Sequence, residues 1–525
     1  MSTRPRTIPA LLPALTVAAA LAVITAPASA TAGTQSIDSS AAGIGAPLGG
    51  RFGHALHDGH TRTFVVYPGG QPKRHYCPAT RGDMTMSESE TLLRYYDHNW
   101  NQWSAAINLG DAFTPPDSHS YPQLVQGGGG NLVVISGGHQ SPLVDRRSKV
   151  PSWSGKILTA GEWTQARSAL GDHAAAKCAT YPNAFRSEHG SNGTLWVFWR
   201  QTWKQLQSAP PADPVCASVV TLTASDHHEP IYYAYSTDDG AHWSAPQLAI
   251  DPDPNGDADK WDTIYVDGML HRGDELHIAF SNRQDHNKKF QHHYYARFNL
   301  KNKRFYSPTN VDLGATITQA EMNNSAYKLR YDTRPSPETP TPYAVAIGVD
   351  HRGRVNLVTS GFQYVAGPNG QPTRKTLSCA CSEDPVPKRM VRHVRWGAGS
   401  WQAPALYFVN SGDHVDPYEV RFDPEHDVMD LYYRSASVCA TSPSCARYPE
   451  IALRRATRDA RAQPVKWTTS TIDAQSQATR ERFLGFGFVR DAPSQSPVQA
   501  TYLRGEYVDW QCPSPYLLRS WNGKF

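Results

Sequence analysis

The stretch Ser236-Thr237-Asp238-Asp239-Gly240-Ala241-His242-Trp243 decides the fold of this chain. It fits the pattern S-x-D-x-G-x-x-W, whose parts are those of a strand-connecting turn. The aspartate caps the hairpin, the glycine takes a positive φ, and the tryptophan packs between strands. Such an Asp box is structural and is not a catalytic site. Outward from it, a Trp followed by Ser, Thr or Gln recurs at Trp103-Ser104, Trp163-Thr164, Trp401-Gln402 and Trp467-Thr468. Between these lie short apolar or alternating runs behind Gly or Asp turns: Thr61 to Tyr67, Asn131 to Ser136, Thr194 to Trp199, Glu275 to Phe280, Val355 to Thr359 and Met429 to Tyr433. We read these runs as the inner strands of repeated units, spaced roughly 60 to 80 residues apart as four-stranded units with insertions would be.

About seven such units fit between Gly50 and Phe525, so the expected fold is all-β, a seven-bladed β-propeller with four-stranded antiparallel blades. Pairing an N-terminal strand into the last blade would close the ring and remove edge strands. The 14 Trp and 25 Tyr, with 39 Gly and 40 Pro, suit many strands joined by tight turns. No long stretch sustains a capped helical period, and a β-sandwich suits repeats of this length poorly.

The first thirty residues read as a signal peptide: Arg4 and Arg6, an apolar run from Leu11 to Ile24, and the small residues Ala28-Ser29-Ala30. The expected organisation is a signal peptide over 1–30, a flexible leader over 31–49 and one catalytic propeller over 50–525, secreted and without a membrane span. The eight cysteines all fall after residue 30, an even number that suits disulfides in an oxidising compartment. Pairings to consider are Cys178 with Cys216, Cys439 with Cys445, and Cys77 with Cys512. Cys379-Ala-Cys381 lacks a second ligand pair at zinc spacing. With 51 Lys and Arg against 47 Asp and Glu and no basic tract, nucleic acid is excluded as a partner.

Three segments carry residues suited to chemistry. His119 lies in Asp117-Ser118-His119-Ser120-Tyr121-Pro122, before the Leu132 to Ile135 strand, and His139 lies in Gly137-Gly138-His139-Gln140-Ser141-Pro142, after it. Tyr181 lies in Ala179-Thr180-Tyr181-Pro182-Asn183-Ala184-Phe185, which leads to the strand that Arg200 closes. In a propeller, loops at the strand ends open onto the central channel, where these groups can converge.

This series resembles that of the ulvan-lyase-like seven-bladed propellers and their rhamnose-glucuronate lyase relatives, often labelled BNR-repeat proteins. The matching segments are "DSHSYPQL", "SGGHQSP", "TYPNAF" and "LWVFWR" between Asp117 and Gln201. The resemblance implies cleavage of an acidic polysaccharide by β-elimination at a uronic acid, by a protein expected to be a monomer. His119 and Tyr181 would handle the protons, in either assignment of base and acid. Arg200 and His139 would neutralise the carboxylate. Asn183, Arg186, Tyr265, Arg283, His292 and His293 are further candidates for substrate contact. The chemistry needs no cofactor. A structural Ca²⁺ or Zn²⁺ is compatible with Asp226-His227-His228 or Asp285-His286-Asn287, although neither is a full ligand set. The rival readings are a sialidase-like or other glycoside hydrolase and a non-catalytic carbohydrate-binding propeller.

Overall fold

The Asp box turns as its composition demands. In the computed structural model Gly240 has φ +78° and Asp239 +57°. Asp238 Oδ1 accepts from Ser236 Oγ at 2.8 Å and from the His242 backbone N–H at 2.8 Å. Trp243 packs against a core cluster that contains Val133 and Val197. Asp239 does something the motif does not advertise. Its carboxylate leaves its own turn and accepts from the backbone N–H groups of Gly128 and Gly129 in the preceding blade, at 2.9 and 2.8 Å. A Cβ at Gly127 would stand 2.3 Å from Asp239 Cγ, so the glycine run there is a steric requirement. Arg167 completes the staple, donating to Asp145 at 2.8 Å and to the carbonyls of Gly240 and Ala241.

The structure describes residues 34–522 except 43–53, 78–80, 88–89, 111–121, 138–140, 155, 157, 169–173, 189–192, 202–227, 253–261, 285–288, 332–344, 363, 367–371, 375, 378–385, 388, 403–404, 408–412, 424, 438–450, 460–465, 475–480 and 507–514. Seven antiparallel blades follow one another. Blade 1 is built on Ala55–His57, Arg62–Gly69 and Glu90–Asp97, with short outer strands, and blade 2 on Gln123–Gln126, Asn131–Ser136, Val144–Pro151 and Arg167–Ser168. Blade 3 comprises Ala179–Ser187, Thr194–Gln201, Ile231–Ser236 and Gln247–Asp251, and blade 4 Asp262–Arg272, Glu275–Gln284, Lys289–Asn299 and Arg304–Tyr306. Blade 5 runs from Val345–Val349 through Val355–Phe362 and Arg389–Gly397 to Ser400–Trp401. Blade 6 holds Asp413–Phe422, Val428–Ser437, Ile451–Asp459 and Lys466–Ala474. A fifth strand departs from the four-stranded expectation in blade 3, where Ile317–Thr318 returns from blade 4 to pair in parallel with Ile250–Asp251 and cover that edge.

The first strand of each blade is the innermost. Gln123–Gln126 packs on Ala179–Ser187, and Val345–Val349 touches both Asp262–Arg272 and Asp413–Phe422. The apolar runs expected to be inner strands are therefore the second strands. A second strand has partners on both edges and neighbouring blades on both faces, so every residue from Thr194 to Gln201 is buried. The inner strand Ala179–Ser187 faces the channel and carries mixed residues, with Tyr181, Asn183 and Arg186 only half-buried. Cores form between blades: Trp196, Phe198 and Tyr233 of blade 3 interlock with Phe280, Tyr294 and Phe298 of blade 4.

Blade 7 combines Glu481–Phe488, Ala500–Glu506 and Pro515–Trp521 with Thr34–Ala42, which pairs antiparallel from Thr34↔Trp521 to Ala42↔Pro515. Residues 34–42 are thus a strand rather than part of a flexible leader. The pairing is fixed from the other side by blade 1, where Arg94 Nε lies 3.0 Å from Asp38 and the Tyr67 hydroxyl donates to it. Cys77 and Cys178 are fully buried and neither is a free thiol. The partners considered for them, Cys512 and Cys216, lie outside the described residues, as do Cys379, Cys381, Cys439 and Cys445.

Candidate active site

Tyr181 and Arg200 meet because the inner strand of blade 3 bulges. Thr180 pairs with Arg200 and Asn183 with Phe198, leaving Tyr181 and Pro182 opposite Trp199 alone. Proline has no N–H for the ladder, which makes this a natural place to break register. Tyr181 adopts φ +58°, a left-handed conformation that is costly for a bulky residue and more so before proline. Asn183 Nδ2 donates to the Tyr181 carbonyl at 3.1 Å and holds the bulge. Strain of this kind persists only where surrounding contacts over-determine it.

The bulge places the Tyr181 ring against the Arg200 guanidinium, with Cζ 4.8 Å from the ring centroid. Tyr265, on the inner strand of blade 4, takes the same guanidinium at 4.6 Å, and the two rings are 6.4 Å apart. Arg200 is 4% exposed, and Nη1 lies 3.3 Å from Glu229 Oε2. Burial alone would lower the Arg200 pKa. The Glu229 carboxylate, followed by the Tyr265 and Tyr181 oxygens, outweighs it and raises the pKa instead. The result is a permanently charged guanidinium fixed between two phenols, at the end of the ring where inner strands begin.

Glu229 is the contact that motif reading passes over. It stands between a His pair and Pro230, and what brings it to Arg200 is the short strand His228–Glu229, which pairs in parallel with Asp262–Thr263 of blade 4. That pairing between blades leaves no mark on the local sequence.

His119 and His139 lie outside the described residues. Gln123 and Ser136, the strand ends nearest them in sequence, sit at the same end of blade 2 as Tyr181 does in blade 3. Arg283 pairs with Thr263 in backbone register at that end of blade 4. His292 Nε2 is 3.2 Å from Arg330 Nη1, and His293 Nδ1 lies 3.4 Å from the buried Asp267. Arg186 departs from the grouping: with Asn183 it lines a cavity farther along the inner strands, and it contacts Glu188 at 3.2 Å. Among the described residues no cluster of three His, Cys, Asp or Glu could hold a metal. Asp226, His227, Asp285, His286 and Asn287 lie outside them.

A family model described as a BNR repeat-containing family member matches residues 84–406, more than half of the chain. The chain belongs to the BNR repeat-containing family. Two solved structures of an ulvan lyase, described as a new family of polysaccharide lyase, share the fold of this BNR-repeat chain. Their TM-scores are 0.60 and 0.61 at 15% identity, over 92% of this chain and 96% and 95% of theirs. The first is bound to -[GlcA(1-4)Rha3S]-. An α-L-arabinanase from Penicillium chrysogenum follows at TM-score 0.40 and 11% identity, over 78% of this chain and 95% of that one. No curated protein sequence matches the BNR-repeat chain.

Proposed function

We propose that this chain is a secreted polysaccharide lyase that cuts an acidic polysaccharide by β-elimination beside a uronic acid. The observation that carries this reading is the Arg200 guanidinium clamped between Tyr181 and Tyr265. In the reaction the C5–H bond breaks, C4=C5 forms and the C4–O4 bond leaves with its electrons. Negative charge builds on the uronate carboxylate as the base takes the C5 proton, and on O4 until an acid protonates it. A fixed, desolvated cation stabilises such charge, and a phenol within its field suits the proton transfer. Arg200 does not act alone on the carboxylate, because Glu229 already balances much of its charge. The reading gives the remaining neutralisation to His139 and one of the proton transfers to His119. The fold shared with an ulvan lyase that binds -[GlcA(1-4)Rha3S]- supports a glucuronate-rhamnose polymer as substrate.

A hydrolytic reading draws on the same Glu229, since a carboxylate beside a tyrosine and an arginine belongs to sialidase-like chemistry. Glu229 Oε2 lies 3.3 Å from Arg200 Nη1, however, so the carboxylate that such chemistry would use to assist the tyrosine is engaged by the guanidinium. One assay separates the readings. Ulvan, glucuronan and a rhamnose-glucuronate-capped arabinogalactan are incubated with the protein, and the ultraviolet absorbance of a 4,5-unsaturated uronate is followed. Tyr181→Phe and His119→Ala are expected to abolish the rise while keeping the fold. Saturated reducing ends without absorbance, or wild-type rates in both variants, would overturn the proposal.

A further inference from the structure

At the opposite end of the inner strands from Tyr181 and Arg200 lies a cavity of about 430 Å³. Its lining comes from the far ends of those strands: Gln126 of blade 2, Arg186 of blade 3, His271 of blade 4, Arg421 of blade 6 and Phe488 of blade 7. A pocket of this size is within the range of roughly 300 to 1,000 Å³ that holds small ligands.

The lining has a definite chemistry. Arg186, Arg421 and Arg490 are matched by Glu188, Glu419 and Asp491. Arg186 meets Glu188 at 3.2 Å, and Glu419 and Asp491 act electrostatically on Arg421 and Arg490 respectively. Three positive charges against three negative ones leave no net field to draw an anion. What remains is a wall that offers N–H donors and carboxylate acceptors side by side, joined by the amides of Gln126 and Asn183. Two buried phenyl rings back these polar groups: Phe488 lies 3.5 Å beneath the Arg421 guanidinium carbon, and Phe185 lies 5.0 Å from the His271 ring. Arg490 fixes the floor, with Nη1 donating to Ala184 O at 3.3 Å and Nη2 to Leu124 O, so its guanidinium ties blade 7 to the inner strands of blades 2 and 3. Hydroxyl groups are donor and acceptor at once, so the hydroxyls of a sugar match a wall of this kind.

We propose that this cavity is a second saccharide-binding site, separate from the Tyr181–Arg200 cluster, that takes an uncharged sugar unit. It would hold a neutral stretch of a polymer, or a neutral side branch, at the mouth of the ring opposite the candidate active site. The inference does not rest on the lyase reading and stands if that reading fails.

The test is calorimetric titration of the full chain carrying Tyr181→Phe with arabino-, galacto-, xylo- and cellopentaose, and separately with a glucuronan tetrasaccharide. At least one neutral pentasaccharide is expected to bind saturably at one site, in preference to the glucuronan fragment. Glu188→Gln with Glu419→Gln is expected to weaken that binding by about tenfold, through loss of charged acceptors. The Glu188 side chain is 81% exposed, so Glu188→Gln on its own provides a variant whose folding is not at risk. The proposal is overturned if none of the neutral sugars binds, if the glucuronan fragment binds in preference, or if affinity is unchanged in these variants.

Discussion

Replacing Arg200 by Met separates what the guanidinium does for the fold from what it does for chemistry. Arg200→Met keeps a long apolar stem between the Tyr181 and Tyr265 rings but strands Glu229, whose side chain is 13% exposed, without the cation 3.3 Å away. Breaking one side of a buried pair costs about 3 to 5 kcal/mol, and this partly open pair belongs at the lower end, about 3 kcal/mol. Loss of two cation-π contacts adds on the order of 1 kcal/mol. Unfolding entropy near 2.1 cal/mol/K per residue over roughly 490 residues gives about 1 kcal/mol/K, so Tm should fall by about 3 to 4 °C. Glu229→Gln added to Arg200→Met removes the stranded charge and should recover most of that loss. Activity should not return: turnover of a uronate polymer is expected to be down by about 10²-fold or more in both variants. Thermal unfolding followed by circular dichroism, together with the absorbance assay, reads both quantities. A fully active double variant would refute the catalytic role, and an Arg200→Met protein as stable as wild type would refute the buried-pair argument.

Other expectations follow from the blade contacts. Asp239→Ala removes two charged hydrogen bonds to Gly128 and Gly129 and leaves alanine at φ +57°, so urea denaturation should show a loss of about 2 to 4 kcal/mol. Asp239→Asn, which tolerates that backbone, should lose less. His277 and His393 are buried, and burial lowers each pKa to about 4. The unfolded chain, with histidines near pKa 6.5, then binds more protons between pH 6.5 and 4. Stability should be full above pH 6.5 and fall as pH drops through that window, and His277→Gln should flatten the fall; a pH-independent denaturation midpoint would contradict this. A chain beginning at residue 54 lacks the strand Thr34–Ala42 and should melt several degrees lower, with the transition read by tryptophan fluorescence.

Composition and one motif were enough to make the repeat legible, because each blade needs the same turn and the same buried second strand. The rank of strands within a blade was not legible: Thr194 to Gln201 is buried throughout because two neighbours and two blades cover it, and an apolar run alone does not say which strand faces the axis. The pairing of Tyr181 with Arg200 could be anticipated from their segments, since adjacent antiparallel strands bring Thr180 opposite Arg200. Glu229 could not, because a two-residue parallel pairing to another blade draws it in. Asn183 and Arg186 show the same limit. They follow Tyr181 closely in sequence, yet the extended strand carries Arg186 toward the other mouth of the ring.

The last blade borrows its fourth strand from the other end of the chain, and this gives the molecule a clock. Thr34 waits for Trp521. As the chain emerges, six blades can assemble by contacts between near neighbours, but the ring stays open until almost the whole sequence is present. Closing a loop of that length costs only a few kcal/mol, since the entropy grows as the logarithm of length, yet it sets the order of events. Until then Thr34–Ala42 has only its blade 1 partners, Gly69, Tyr67 and Arg94, and lacks the strand Pro515–Trp521. The slowest folding phase should be its docking, and a peptide of that sequence supplied in excess should compete for the place.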